Sequence, residues 1–165
     1  MATISIKVTG VQELVKDYNA FIVNMRDMTE PLTISSEKYL NAVHTNFTDN
    51  GATFGDGWPK LKDSTIRIKR ELRKQGKSIG VTKPLLRTGL LRKSFGYFLQ
   101  NKTMAALFNA QSYAKIHQES GTSTYKGHAT VIPKRILADV DSARVTMVTA
   151  VFTDWLAKLV KSHKL

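Results

Sequence analysis

The chain has 165 residues, 42% hydrophobic and 23% charged, the size and balance of one globular domain that buries roughly 70% of its unfolded surface without metals or disulfides. It contains no cysteine, which excludes disulfide frameworks, thiolate nucleophiles and cysteine zinc sites. With 25 Lys+Arg against 13 Asp+Glu the formal net charge is +12, so the expected neighbour is a polyanion or an acidic protein surface.

Ile4, Ile6 and Val8 alternate with polar residues, the period of a strand with one buried face, and Gly10 ends it. Val11, Leu14, Val15, Tyr18, Phe21, Ile22, Met25 and Met28 then keep helical spacing, which predicts an amphipathic helix over 11–28. Thr29, Glu30 and Pro31 supply an N-cap, an early acid and a first-turn proline for a second helix. Its buried face would carry Leu32, Leu40, Val43 and Phe47, and Asn50-Gly51 stops it. Residues 51–60, with three glycines and a proline, are expected to be irregular, anchored by Phe54 and Trp58.

A short basic surface helix is expected from about Leu61 to Lys74, because its apolar positions (Leu61, Ile66, Ile68, Leu72) are too few for a core helix. Residues 74–85 read as a flexible loop or extended arm. Phe95, Tyr97 and Leu99 alternate, Asn101-Lys102 make a turn and Met104–Phe108 return, a β-hairpin. One or two helical turns are expected over 112–119, a loop over 121–127, and a short strand over 129–132 closed by Pro133. Val145, Val148, Phe152, Trp155 and Leu159 predict a C-terminal helix. The fold class is therefore α+β: a single domain over 1–165, with a small, mostly antiparallel sheet against two or three long helices and an irregular basic arm.

No apolar run reaches the 18 or so residues of a bilayer span, and no basic stretch with an apolar segment opens the chain. The expectation is a soluble protein with no membrane partner, made in the cytoplasm. The charge is concentrated: residues 60–93 hold twelve basic and two acidic residues, +10 of the +12. Such a segment either contacts phosphates, docks on an acidic protein, or is simply solvated surface. Lys62, Arg67, Lys69, Arg70, Arg73, Lys74 and Lys77 are the candidate contacts to DNA or a partner.

Signs of catalysis are thin. His44, His117, His128 and His163 include no pair at metal-ligand spacing, the carboxylates are scattered, and no GxSxG, P-loop or GxGxxG motif occurs. The expectation is no enzyme, no metal and no cofactor.

Four segments stand out in order: Gly57-Trp58-Pro59-Lys60-Leu61 with Thr65 and Lys69; Leu86-Arg87-Thr88-Gly89-Leu90-Leu91-Arg92-Lys93-Ser94; Tyr113-Ala114-Lys115-Ile116-His117-Gln118 with Gly121; and Ile132-Pro133-Lys134-Arg135-Ile136-Leu137. Together they resemble the tailed-bacteriophage virion morphogenesis, or tail completion, family, the group that includes the Mu-type G protein. Gly121 falls one position late, and the stretch after Pro133 is shorter than the family's usual Pro-Ala-Arg-Pro-Phe-Leu. The resemblance implies a structural protein of the virion, assembled in the host cytoplasm, at the neck where head joins tail. It would be a homo-oligomeric ring, a hexamer being one such form, contacting other neck, tail or connector proteins and, in the lumen, DNA. The family-motif or interface residues it selects are Trp58, Pro59, Thr88, Gly89, Tyr113, His117, Pro133 and Arg135.

Each has a plainer reading. Trp58, held extended before Pro59, plugs the core; Thr88-Gly89 shapes a turn or caps a helix; His117 donates a ring N–H to a backbone carbonyl and pins its helix. Arg135 is the group member best suited to a neighbouring subunit, its guanidinium fork matching interface carboxylates. Two alternatives from other classes remain: a small basic toxin-type ribonuclease, supported by the charge and by Tyr125, Lys126 and His128 close together, and a nonspecific DNA-binding module.

Overall fold

The computed structural model describes residues 10–125 and 127–163. The strand expected over 3–9 and the side chains of Tyr125, Lys126 and His128 lie outside the described residues. Ten elements follow in order: α1 (Val11–Met25), α2 (Thr29–Thr48), α3 (Asp63–Lys74), α4 (Leu90–Lys93), β1 (Phe95–Asn101), β2 (Met104–Asn109), α5 (Ala114–Glu119), β3 (Gly121–Tyr125), β4 (His128–Ile132) and α6 (Ser142–Ser162). The α+β expectation holds, with the strands in two separate antiparallel hairpins, β1-β2 and β3-β4.

The centre of the fold is α2, which packs against β1, β2, α4 and α6. Its inward stripe carries Val43 and Phe47, both fully buried, and these join Phe54, Trp58, Leu86, Leu91 and Leu137 in one core. The irregular segment 49–62 closes over that core. Gly51 makes the closure possible: its φ is +93°, and a Cβ there would lie 2.3 Å from the Trp58 ring, an approach open only to glycine.

Several elements differ from their sequence signals. Helix α1 ends at Met25, and Thr29 is the first residue of α2 rather than its cap; its amide donates to Asp27 Oδ1 at 3.2 Å. The loop expected over 121–127 contains β3, whose residues Gly-Thr-Ser-Thr-Tyr have no apolar alternation. Pairing with β4 from Gly121↔Ile132 to Tyr125↔His128 makes it a strand, and Gly127 at φ +80° supplies the turn. The C-terminal helix stands as expected. Asp141 caps α6, accepting from the Arg144 amide at 2.8 Å, and the Arg144 guanidinium lies 5.1 Å over the Phe54 ring, fixing the helix on the core.

The largest departure concerns α1. Its spacing predicted a buried stripe, yet none of its residues is buried. The C-terminal half meets α6: Phe21 stacks edge-on with His163 at 5.9 Å, and Asn24 Nδ2 lies 3.0 Å from His163 Nε2. The N-terminal half does not: Val11, Leu14, Val15 and Tyr18 are 52, 59, 52 and 54% exposed.

Candidate functional site

The four sequence segments converge on one region. Trp58 is 7% exposed, edge-on to Phe47 at 5.2 Å, and its Nε1–H donates to the Ile136 carbonyl at 2.9 Å. Asn46 Nδ2 donates to the same carbonyl at 2.8 Å. Gln118 grips the adjoining backbone, its Oε1 accepting from the Leu137 amide at 2.7 Å and its Nε2 donating to the Ala138 carbonyl at 2.9 Å. The Arg135 amide donates to the His117 carbonyl at 2.7 Å. Trp58 is thus a core residue that ties the first segment to the last, while Pro59 and Pro133 are exposed.

Thr88 and Gly89 cap the single turn of α4. The Leu90 amide donates to Thr88 Oγ1 at 3.3 Å, and Gly89 sits at φ +77° with Ile79 against it. Tyr113, immediately before α5, is exposed and meets His117 edge-on at 6.3 Å.

The basic helix divides by face. Thr65, Ile68, Lys69 and Leu72 share one side at three- and four-residue spacing, and Arg67, Arg70 and Lys74 the other. Lys62, Arg67, Arg70, Arg73, Lys74 and Lys77 are exposed, as a contact surface requires. Lys74 is paired with Glu71 at 2.8 Å. Lys69 corrects the expectation of a solvent-facing contact: it is 6% exposed, and its Nζ donates to the Lys83 carbonyl at 2.5 Å. Burial, with the positive charge of Arg87, pushes its pKa below the ordinary lysine value.

Behind this inner face lies a cavity of about 340 Å³, lined by Leu61, Thr65, Ile68, Lys69, Leu72, Leu85, Arg87, Thr88, Leu91, Tyr113 and His117. Three of the four segments therefore meet around one hollow. Leu85 contributes from the left-handed region at φ +58°, a conformation that costs a non-glycine residue about 1–2 kcal/mol and persists only where the surroundings impose it.

Two further placements differ from expectation. Arg135, read as a contact to a neighbouring subunit, is only 7% exposed, and its Nε has no partner among the described residues. The Pro133–Leu137 strap turns it inward because Trp58, Asn46 and Gln118 hold the strap's backbone. His117 was expected to donate from its ring to a carbonyl, yet its Nδ1 is buried without a partner and the backbone bond from Arg135 does the pinning. Burial and the Arg135 charge lower the His117 pKa. Gln118, Asn46, Gly51 and Arg87 were not selected from the sequence. Gln118 and Arg87 lie inside segments that had been singled out, and Asn46 shows itself as a polar residue beside the apolar stripe of α2.

Among the described residues no helix is long and apolar enough to cross a membrane. A sequence model of the phage virion morphogenesis family matches residues 6–157. No curated protein and no solved structure matches the chain significantly.

Proposed function

The chain belongs to the phage virion morphogenesis family, and from that premise we propose that it is a structural protein of the head-tail junction, closing as a homo-oligomeric ring around the DNA path and acting by assembly rather than turnover. The observation that carries the reading is the outer face of α1. Val11, Leu14, Val15 and Tyr18 form one apolar stripe more than half open to solvent. A subunit that spent its life as a monomer would gain nothing from such a stripe and would risk aggregation; a subunit that meets copies of itself gains a seam.

The exposed arginines of α3 fit the same picture. Arg67, Arg70 and Arg73 point to solvent without a carboxylate partner among the described residues. Repetition around a ring makes them a positive annulus, suited to DNA in the lumen or to an acidic ring stacked above or below.

The test is complementation of a phage deleted for this chain. Loss of the protein should leave filled heads and finished tails unjoined in electron micrographs of the lysate, and the wild-type chain should restore joined particles. The Arg67→Glu, Arg70→Glu, Arg73→Glu triple variant should fold and fail to restore them. Normal particles without the chain overturn the reading, and full rescue by the triple variant reduces the basic face to solvated surface.

A further inference from the structure

The cavity behind α3 carries positive charge that no carboxylate among the described residues offsets. Lys69 and Arg87 both line it, and Arg135 lies close enough behind His117 to lower that residue's pKa. No aspartate or glutamate is among the lining residues, and none of these cations forms an ion pair among the described residues. Two polar atoms in this region, Arg135 Nε and His117 Nδ1, are buried with no hydrogen-bond partner. Arg87 stands exposed at the mouth, but Lys69 and Arg135 are buried, Lys69 with the Lys83 carbonyl at its Nζ, and burying a cation is costly unless an anion joins it. The walls, however, are Leu61, Ile68, Leu72, Leu85 and Leu91, so the anion that fits is carried on an apolar body. That favours a protein carboxylate flanked by aliphatic side chains over the uniformly polar backbone of DNA, which the outer arginines of α3 can reach and the sunken Lys69 cannot.

A segment of that chemistry stands on the opposite account of the same molecule. In α1, Glu13 and Asp17 are one turn apart and border the exposed stripe of Leu14 and Tyr18. Neither acid has an ion-pair partner among the described residues. We propose that the N-terminal half of α1 from one subunit docks in the Lys69-Arg87 cavity of the next, with a carboxylate of Glu13 or Asp17 at the cations and Leu14 against the leucine wall. The cavity's 340 Å³ has room for one or two side chains, not for a helix, so α1 lies across its mouth. Donor and acceptor are different surfaces of the same chain. The contact is therefore head-to-tail, the kind that generates a ring when the rotation closes. This inference rests on the ring reading above and specifies its seam.

The experiment uses two variants that keep the fold. Arg87→Glu damages only the acceptor, at an exposed side chain. Glu13→Gln with Asp17→Asn neutralises only the donor and leaves α1 helical. Light scattering should show self-association weakened at least about tenfold in each, a change worth roughly 1.4 kcal/mol, with melting temperatures unchanged. The two variants mixed in equal amounts should form dimers and stop, because each mixed pair has one intact donor and one intact acceptor. If both variants assemble like wild type, or the mixture stays monomeric, the seam is elsewhere and the ring reading survives. Failure of the wild type to assemble under any condition removes the ring and the seam together. DNA binding lost in Arg87→Glu with self-association intact would assign the cavity to phosphate and overturn the proposal.

Discussion

At the scale of single residues, Trp58 and His117 show how far a side chain's role depends on its surroundings. Trp58 was open to two readings, core plug or interface, and its bond to the Ile136 carbonyl with its edge-on contact to Phe47 makes it core. Trp58→Ala should lower subunit stability by about 3–5 kcal/mol, as large aromatic truncations do; chemical denaturation of the isolated chain measures it. A change below about 1 kcal/mol would mean that the loop 49–62 closes without its anchor. His117 gives a pH dependence. Its folded pKa is lowered by burial first and by Arg135 second, while Lys69, Arg87 and Tyr113 share its cavity. The unfolded chain therefore takes up a proton near pH 6.5 before the folded one does, and stability present above that pH is lost as the pH falls through it. Thermal melts between pH 7 and 5 should fall less steeply in His117→Gln than in wild type, the difference approaching about 1.4 kcal/mol per pH unit at most. Parallel melting curves would show that His117 titrates freely in the folded state.

At the scale of elements, periodicity was legible and coverage was not. The spacing of Val145, Val148, Phe152, Trp155 and Leu159 marked α6, and the alternation of Phe95, Tyr97 and Leu99 marked the first hairpin, because both patterns are properties of the local chain. The α1 stripe was equally clear, yet a stripe says only that one face is apolar; what covers it is decided by the rest of the molecule or by another molecule. Strand β3 was invisible because a polar run becomes a strand only when a partner pairs with it. Charge alone groups Lys69 with its exposed neighbours, although its four- and three-residue spacing from Thr65 and Leu72 places it on the inner face. The segment expected to be flexible over 74–85 has backbone ties that make a specific prediction. The Lys77 amide donates to the Leu72 carbonyl at 2.7 Å, Ile79 to Arg87 at 2.7 Å and Gly80 to Leu86 at 2.9 Å. Hydrogen exchange on the isolated subunit should protect those three amides and leave Val81 to Lys83 fast. Uniformly fast exchange over 74–85 would show that the ties open in the free chain and that order awaits assembly.

At the scale of the whole molecule, the sequence's order of motifs carried the family, and the structure explains why the order matters: the first, third and fourth segments hold one another through Trp58, Gln118 and the Ile136–Ala138 backbone, and the first three surround one cavity. What no sequence could display is the division of labour between faces. One face of α3 closes a cavity lined by Lys69 and Arg87 with no carboxylate among its lining residues, the other offers arginines to solvent, and α1 offers an apolar stripe edged with acid. The same charge that suits the ring to DNA or an acidic neighbour resists its formation, because +10 on residues 60–93 of every subunit is brought together. A half-buried seam is screened less than exposed arginines are, so added salt relieves the repulsion more than it weakens the contact. The most direct measurement is light scattering with negative-stain microscopy of the purified chain as ionic strength rises from about 0.01 to about 1 M, over which the Debye length falls from roughly 30 to roughly 3 Å. Small species at low salt that convert to closed rings at high salt, and at low salt on addition of DNA or an acidic virion protein, are the predicted result; a chain that stays monomeric through the whole range and with either polyanion contradicts it.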